Sequence, residues 1–205
     1  MYIFKVPNTE TYIPGDINKD KKVDENDLTS YLNYTGLRKS DSDFDYISIG
    51  DINENGLIDA YDISVVATKL EDGVNAHRAA VAGALSISSD KKSYKAGDNV
   101  VVTIKGTGLA HVNALSLALP YSTDEYEFVS IEPITVGTLQ NFSKNRLHGN
   151  GESVIYPTFV NTGEKAVLEG DIEIAKITFK AKKNIKFKLE AKDAVLVDKA
   201  LNTVE

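Results

Sequence analysis

Two periodicities divide the chain of 205 residues. In residues 28–34 and 63–70 apolar side chains recur at helical spacing, with Leu28, Tyr31 and Leu32 on one stripe and Ile63, Val66 and Leu70 on the other; this predicts two short amphipathic helices. Beyond residue 84 the pattern becomes strand-like. Runs at 85–88, 100–105, 114–119, 128–131, 153–159, 172–180 and 185–197 are parted by Gly, Asn, Pro and Asp at short intervals. Many alternate, as in Ile172, Ile174, Ile177 and Phe179, which predicts an all-β, immunoglobulin-type sandwich. Residues 73–83 are small and weakly patterned and read as a linker that begins at a helix stop, Asp72-Gly73. Residues 1–14 read as a linker or the tail of a preceding domain, because residues 2–6 form one strand-like run ending at Pro7. The expected architecture is multidomain α + β: a small all-α unit at 15–72, then a sandwich at 84–205.

The helical third contains a repeat. Gly15-Asp-Ile-Asn and Gly50-Asp-Ile-Asn open two segments that align over fourteen residues at an offset of thirty-five. The polar, turn-rich stretch through Thr35-Gly36 and residues 40–43 reads as the connector between them.

Each copy places oxygen-bearing side chains where a calcium loop needs them. Calcium takes six to eight hard oxygen ligands, and a twelve-residue loop supplies them from side chains at positions 1, 3, 5, 9 and 12 and a backbone carbonyl at 7. In the first copy these are Asp16, Asn18, Asp20, Asp24 and Asp27, with the carbonyl of Lys22. In the second they are Asp51, Asn53, Asn55, Asp59 and Asp62, with the carbonyl of Leu57. One isolated Asp/Asn cluster is more often a solvated turn, but two in register point to two bound Ca2+ ions. Position 6 differs: Gly56 suits a left-handed turn, whereas Lys21 strains it. Position 8, Val23 or Ile58, is β-branched and suited to pairing the two loops.

The duplicated loops, the Asp at position 12 and the absence of a helix before either loop resemble a type I dockerin over roughly residues 15–72. That resemblance implies calcium-dependent binding to a cohesin-type domain of another protein, as part of a secreted, multimodular, polysaccharide-degrading protein at the bacterial surface or outside the cell. It places the partner contacts at loop positions 10 and 11, here Glu25-Asn26 and Ala60-Tyr61, and on outward helix residues. Tyr31, Tyr34, Tyr61, Val65 and Lys69 are the expected helix face, left free for an external cohesin while the sandwich touches the dockerin, if at all, through another surface. More weakly, residues 84–205 resemble a cohesin, on Tyr94-Lys-Ala-Gly-Asp98, Val112-Asn-Ala-Leu115 through Leu119-Pro-Tyr121, and residues 174–179.

Composition narrows the alternatives. Thirty acidic against twenty-three basic residues argue against nucleic acid. No apolar run reaches membrane-spanning length, and there are no cysteines to ligate zinc. The three histidines, His77, His111 and His148, are scattered, and Asp124, Glu125 and Glu127 read as a solvated strand end rather than a glycosidase pair. An enzyme is therefore not expected. The main alternative is a carbohydrate-binding sandwich tethered by the dockerin, with Tyr121, Tyr126 and Tyr156 as its candidate stacking residues in a chain without tryptophan.

Overall fold

The computed structural model describes residues 13–70, 80–134, 139–163 and 168–204. The expected strand at 2–6, the helix stop at Asp72-Gly73 and His77 fall outside these residues.

The helical unit has α1 (Glu25–Tyr34), a short α2 (Phe44–Ile47) running into a 3-10 turn (Ser48–Gly50), and α3 (Ala60–Leu70). Both long helices start inside their loops. Asp24 caps α1 by accepting from the Asn26 amide, while Asp27 returns a bond to the Asp24 amide, the reciprocal arrangement that satisfies two orphan donors at once. The connector, expected as plain polar turn, folds into α2 because Phe44 and Ile47 are buried beside Tyr31, Leu28, Ile63 and Val66. Ile58 does not pair with the first loop: its backbone bonds residues 36 and 37 instead.

The sandwich has two main sheets. One runs β1 (Ala82–Ser89), β3 (Asn99–Val112), β10 (Leu168–Ala181), β5 (Tyr126–Pro133). The other runs β13 (Thr203–Val204), β12 (Lys192–Val197), β4 (Ala114–Tyr121), β8 (Ser153–Tyr156), β7 (Lys144–Leu147), with β9 (Thr158–Asn161) joining β4 to β6 (Leu139–Asn141). A small ribbon pairs β2 (Ser93–Tyr94) with β11 (Ile185–Lys186). All pairings are antiparallel.

Two expected runs split for physical reasons. Residues 153–159 break at Pro157, which has no amide for the ladder, into β8 and β9. Residues 185–197 break because β11 pairs with β2 whereas β12 crosses to pair with β4. The change of parity from Ile174 to Ile177 and Phe179 reflects a bulge between Glu173 and Ala175, which places Ile174 and Ala175 both inside.

Between the sheets Val100, Val102 and Ile104 meet Leu115, Leu117, Leu119, Ile177 and Phe179, each such buried side chain contributing about 1.5–3 kcal/mol. Strand β4 is buried on both faces as far as Leu119. Leu115, Leu117 and Leu119 fill the sandwich, while Ala114 and Ala118 belong to clusters shared with the helical unit.

Candidate metal loops and the surface between the two units

The two loops are built to nearly the same hydrogen-bond plan. The position-1 carboxylate, Asp16 or Asp51, accepts from the amides at positions 5 and 6. The position-5 side chain, Asp20 or Asn55, accepts from the amide at 7. The position-12 carboxylate reaches back across the loop: Asp27 takes the amides of Asn18 and Asp24, and Asp62 those of Ile52 and Asp59. Positions 4 and 6 are left-handed in both copies, with φ 62° at Lys19, 73° at Lys21, 58° at Glu54 and 85° at Gly56. The loop frame is thus strong enough to hold Lys21 in the conformation that Gly56 takes freely, against about 1–2 kcal/mol of steric cost.

These carboxylates are unusual in being buried. Asp16, Asp27, Asp51, Asp59 and Asp62 are at most 7% exposed, and among the described residues no ion pair reaches them. Burial pushes Asp59 up to about 6, with repulsion from Asp51 adding to it and bonds from Tyr61, Asn55 and Asp62 opposing it. Burial and the neighbouring Asp59 push Asp62 well above the usual carboxylate range. Among the described residues no three Asp, Glu or His side chains are gathered as a metal cluster by themselves. The expected set is mixed, acid with Asn and a carbonyl, and buried anions without a counter-charge are the sites at which a divalent cation removes an electrostatic cost.

The helical unit lies on the sandwich. Helix α3 packs across β4, β9 and β12. Ile63, Val66, Ala60 and Ala67 share one apolar cluster with Ala114, Phe142, Val160, Val195 and Val197. Ala60, Ser64 and Ala67 form a buried stripe of small side chains at helical spacing, and the Ala60 amide donates to Ser116 Oγ at 3.3 Å. Gly36 is pressed so close to Tyr156 that an added Cβ would stand 2.3 Å from its ring.

Around this apolar contact runs a polar set. Arg146 donates from Nε to the Thr35 carbonyl and from Nη2 to that of Asn33. Arg38 pairs with Glu152 at 2.8 Å. His148 Nδ1 meets the Asp41 carboxylate at 2.8 Å, and its Nε2 meets the Tyr156 hydroxyl at 2.8 Å. Burial pushes the Tyr156 phenol up. Burial alone would raise Asp41, but bonds from the Arg38 amide and His148 outweigh it and hold the carboxyl below its ordinary value.

Of the expected partner-contact residues, Ala60, Tyr31 and Val65 are withdrawn from the surface, whereas the others keep some exposure. Val65 is buried, Tyr31 is fully inside with its hydroxyl bonded to the Gly50 carbonyl, and Tyr34 and Tyr61 are half-buried. Lys69 is exposed and donates to the Pro14 carbonyl; Glu25 and Asn26 are exposed. The stripe that lies on the sheet is one residue round the helix from Tyr61, Val65 and Lys69. Small side chains carry it because they let a helix approach a flat sheet closely, and a search for large anchors passes over them.

Tyr126 and Tyr156 are buried, and Tyr121 is half-buried with its ring against Phe179. An open cleft of about 670 Å³ between the second loop and β12–β13 has no aromatic side chain in its lining. Glu125 is held by Lys188 and Lys183, and the Lys188 hydrogen bond lowers its pKa, a structural role for one of the three acids.

Comparison with known proteins now decides the family. A family model described as "Cohesin domain" matches residues 83–204, and one described as "Dockerin type I domain" matches residues 14–71. The chain belongs to the cohesin family and carries a type I dockerin. Similar solved structures include a type II cohesin domain from the cellulosome of Acetivibrio cellulolyticus, at 14% identity and TM-score 0.49, covering 60% of this chain and 87% of that one. A cohesin module from a Clostridium perfringens family 33 glycoside hydrolase aligns at 18% identity and TM-score 0.47, over 62% and 90%. A type I cohesin–dockerin complex from Clostridium thermocellum aligns at 16% identity and TM-score 0.46, over 63% and 91%. Among curated proteins none matches the chain. Cohesins and dockerins are non-catalytic modules of cellulosome-type protein–protein interaction that pair with one another, and the type I dockerin is a calcium-binding domain. No helix among the described residues is long and apolar enough to cross a membrane.

Proposed function

We propose that the chain is the calcium-dependent adhesive part of a secreted, polysaccharide-degrading protein, with two ions held by the dockerin. The observation that carries the calcium reading is the pair of matched loops, each closed around buried carboxylates that no cationic side chain reaches among the described residues. Asp16, Asn18, Asp20, Asp24, Asp27 and the Lys22 carbonyl would hold one ion, and Asp51, Asn53, Asn55, Asp59, Asp62 and the Leu57 carbonyl the other. Bound calcium would supply the divalent charge that lets Asp59 and Asp62, whose burial otherwise disfavours the ionised form, stay charged at low exposure.

The protein's own residues translate that charge into a binding surface. Asp62 ties the start of the second loop to the first turn of α3 through the Ile52 and Asp59 amides. Asp59 in turn fixes the Tyr61 amide, so the helix that lies on the sheet begins at the metal loop. Glu25, Asn26, Tyr34, Tyr61 and Lys69 remain the candidates for contact with a cohesin of another protein.

Titration calorimetry with calcium tests the first half, with two bound ions expected and a chelator reducing the helical signal in circular dichroism. A stoichiometry of one or none, or unchanged helix content after chelation, refutes it. The second half is tested by peptide mapping of the culture medium. These residues should be found outside the cell, in one polypeptide with a glycoside hydrolase domain.

A further inference from the structure

We propose that this dockerin is matched to the cohesin of its own chain, and that a polar latch between residues 33–41 and the β7–β8 hairpin sets the match. The proposal rests on the cohesin–dockerin pairing and not on the calcium assignment.

The cohesin completes what the dockerin's helices lack. A helix ends in unpaired carbonyls with partial negative charge, best met by a cation. Helix α1 has no basic residue in its last turn. Arg146 of the cohesin supplies one, bonding the carbonyls of Asn33 and Thr35. At the other contact, the first amide of α3 has no intrahelical acceptor, and Ser116 of the cohesin provides it. One end each of α1 and α3 is therefore finished by a side chain from the other domain.

The latch is also specific. His148 is 4% exposed and has both ring nitrogens engaged, one by Asp41 across the interface and one by Tyr156 behind it. Arg38 and Glu152 form a second pair alongside, and the ring of Tyr156 fills the space left by the missing side chain of Gly36. Around them Arg38 pairs with Glu152 and His148 meets Asp41, while Arg146 bonds backbone carbonyls and is attracted by the Asp41 and Asp43 carboxylates. A cohesin without Arg146, His148 and Glu152 would leave Asp41 and Arg38 partly buried and unpaired, which discriminates against it more than contact area does.

Proximity favours the same pairing. A tethered partner acts at an effective concentration of roughly 1 mM, so any pairing tighter than about 0.1 mM keeps roughly nine chains in ten closed. An external cohesin at micromolar concentration that uses the same face has to bind far more tightly to displace it. The closed form is then the ground state, with the stripe of Ala60, Ser64 and Ala67 occupied in cis.

Amide hydrogen exchange on the full chain tests this. In the wild type the Ala60 amide, whose acceptor belongs to the cohesin, should be protected. Arg146→Ala and the charge reversal R38E should each speed exchange there at least tenfold while leaving β3 and β10 unchanged. Combining R38E with E152R should restore most of the protection. Asp41→Asn, on the dockerin side, repeats the test where Arg146→Ala harms the hairpin. The proposal is overturned by an unprotected Ala60 amide in the wild type, by exchange insensitive to all these variants, or by failure of the reversed pair to rescue.

Discussion

Gly36 offers the sharpest probe of the docked state. It lies at φ +79°, and a Cβ there would stand 2.3, 2.6 and 2.8 Å from three ring atoms of Tyr156. The ring has no easy retreat, being 2% exposed and bonded through its hydroxyl to His148. Gly36→Ala therefore carries two costs. The left-handed backbone costs an alanine about 1–2 kcal/mol whether or not the domains are docked. The clash exists only in the docked state, and overpacking of this kind costs about 1–3 kcal/mol. Only the second part opens the interface, by roughly 5- to 150-fold at 1.4 kcal/mol per factor of ten. The reporter is the Ala60 amide, whose acceptor, Ser116 Oγ, belongs to the cohesin. Its exchange measured by NMR should quicken by that factor in Gly36→Ala and return toward the wild-type rate when Tyr156→Leu is added. The control is Gly56→Ala, at φ +85° with its nearest neighbour, Lys39 Cβ, at 3.4 Å; it carries the strain without the clash. An unchanged Ala60 rate in Gly36→Ala, or an equal effect in Gly56→Ala, refutes the reasoning.

Three further outcomes follow from the loops and the latch. Asp62→Ala should weaken calcium binding by calorimetry more than Asp59→Ala, because Asp62 is fully buried and its loss also frees the Ile52 and Asp59 amides. In chelator, the dockerin should become less stable to urea as pH rises from 4 through about 6. Folded Asp59 titrates at about 6, above its ordinary 3.8, so its stability is present below the ordinary value and lost as pH climbs through the folded one; calcium at neutral pH should remove the effect. The latch has the opposite sign: Asp41 and Glu152 are held below their ordinary values, so their contribution is complete above those values and fades as pH falls below about 4, read as faster exchange at Ala60 after correction for intrinsic rates.

The loops were legible because their chemistry is local. Oxygen-bearing side chains at fixed spacing are repeated after thirty-five residues, and the hydrogen bonds of positions 1, 5 and 12 follow nearly the same plan in both copies. The strands were legible where alternation is clean, as in β1 and much of β3. Three things were not. Pro157 and the crossing between β11 and β12 depend on which sheet a segment joins, which is a long-range matter. The α2 turn owes its order to Phe44 and Ile47 finding a core supplied by other elements. The docking of α3 was hidden because its stripe is made of Ala60, Ser64 and Ala67, residues that carry no signal as anchors. One sign was present in the sequence: residues 114–119 are apolar or small at nearly every position, which is what a strand covered on both faces looks like.

That doubly covered strand governs how partners can be exchanged. With the dockerin lifted away, Ala114, Val160, Val195 and Val197, and separately Ala118 and Val154, would turn apolar surface to water, which invites hydrophobic partners. A bare cohesin of this kind is a poor resting state. Traffic at this face is then expected to proceed by invasion, an incoming helix displacing the resident one from an edge inward, and its rate should rise with the concentration of the newcomer instead of levelling off at the rate of spontaneous opening.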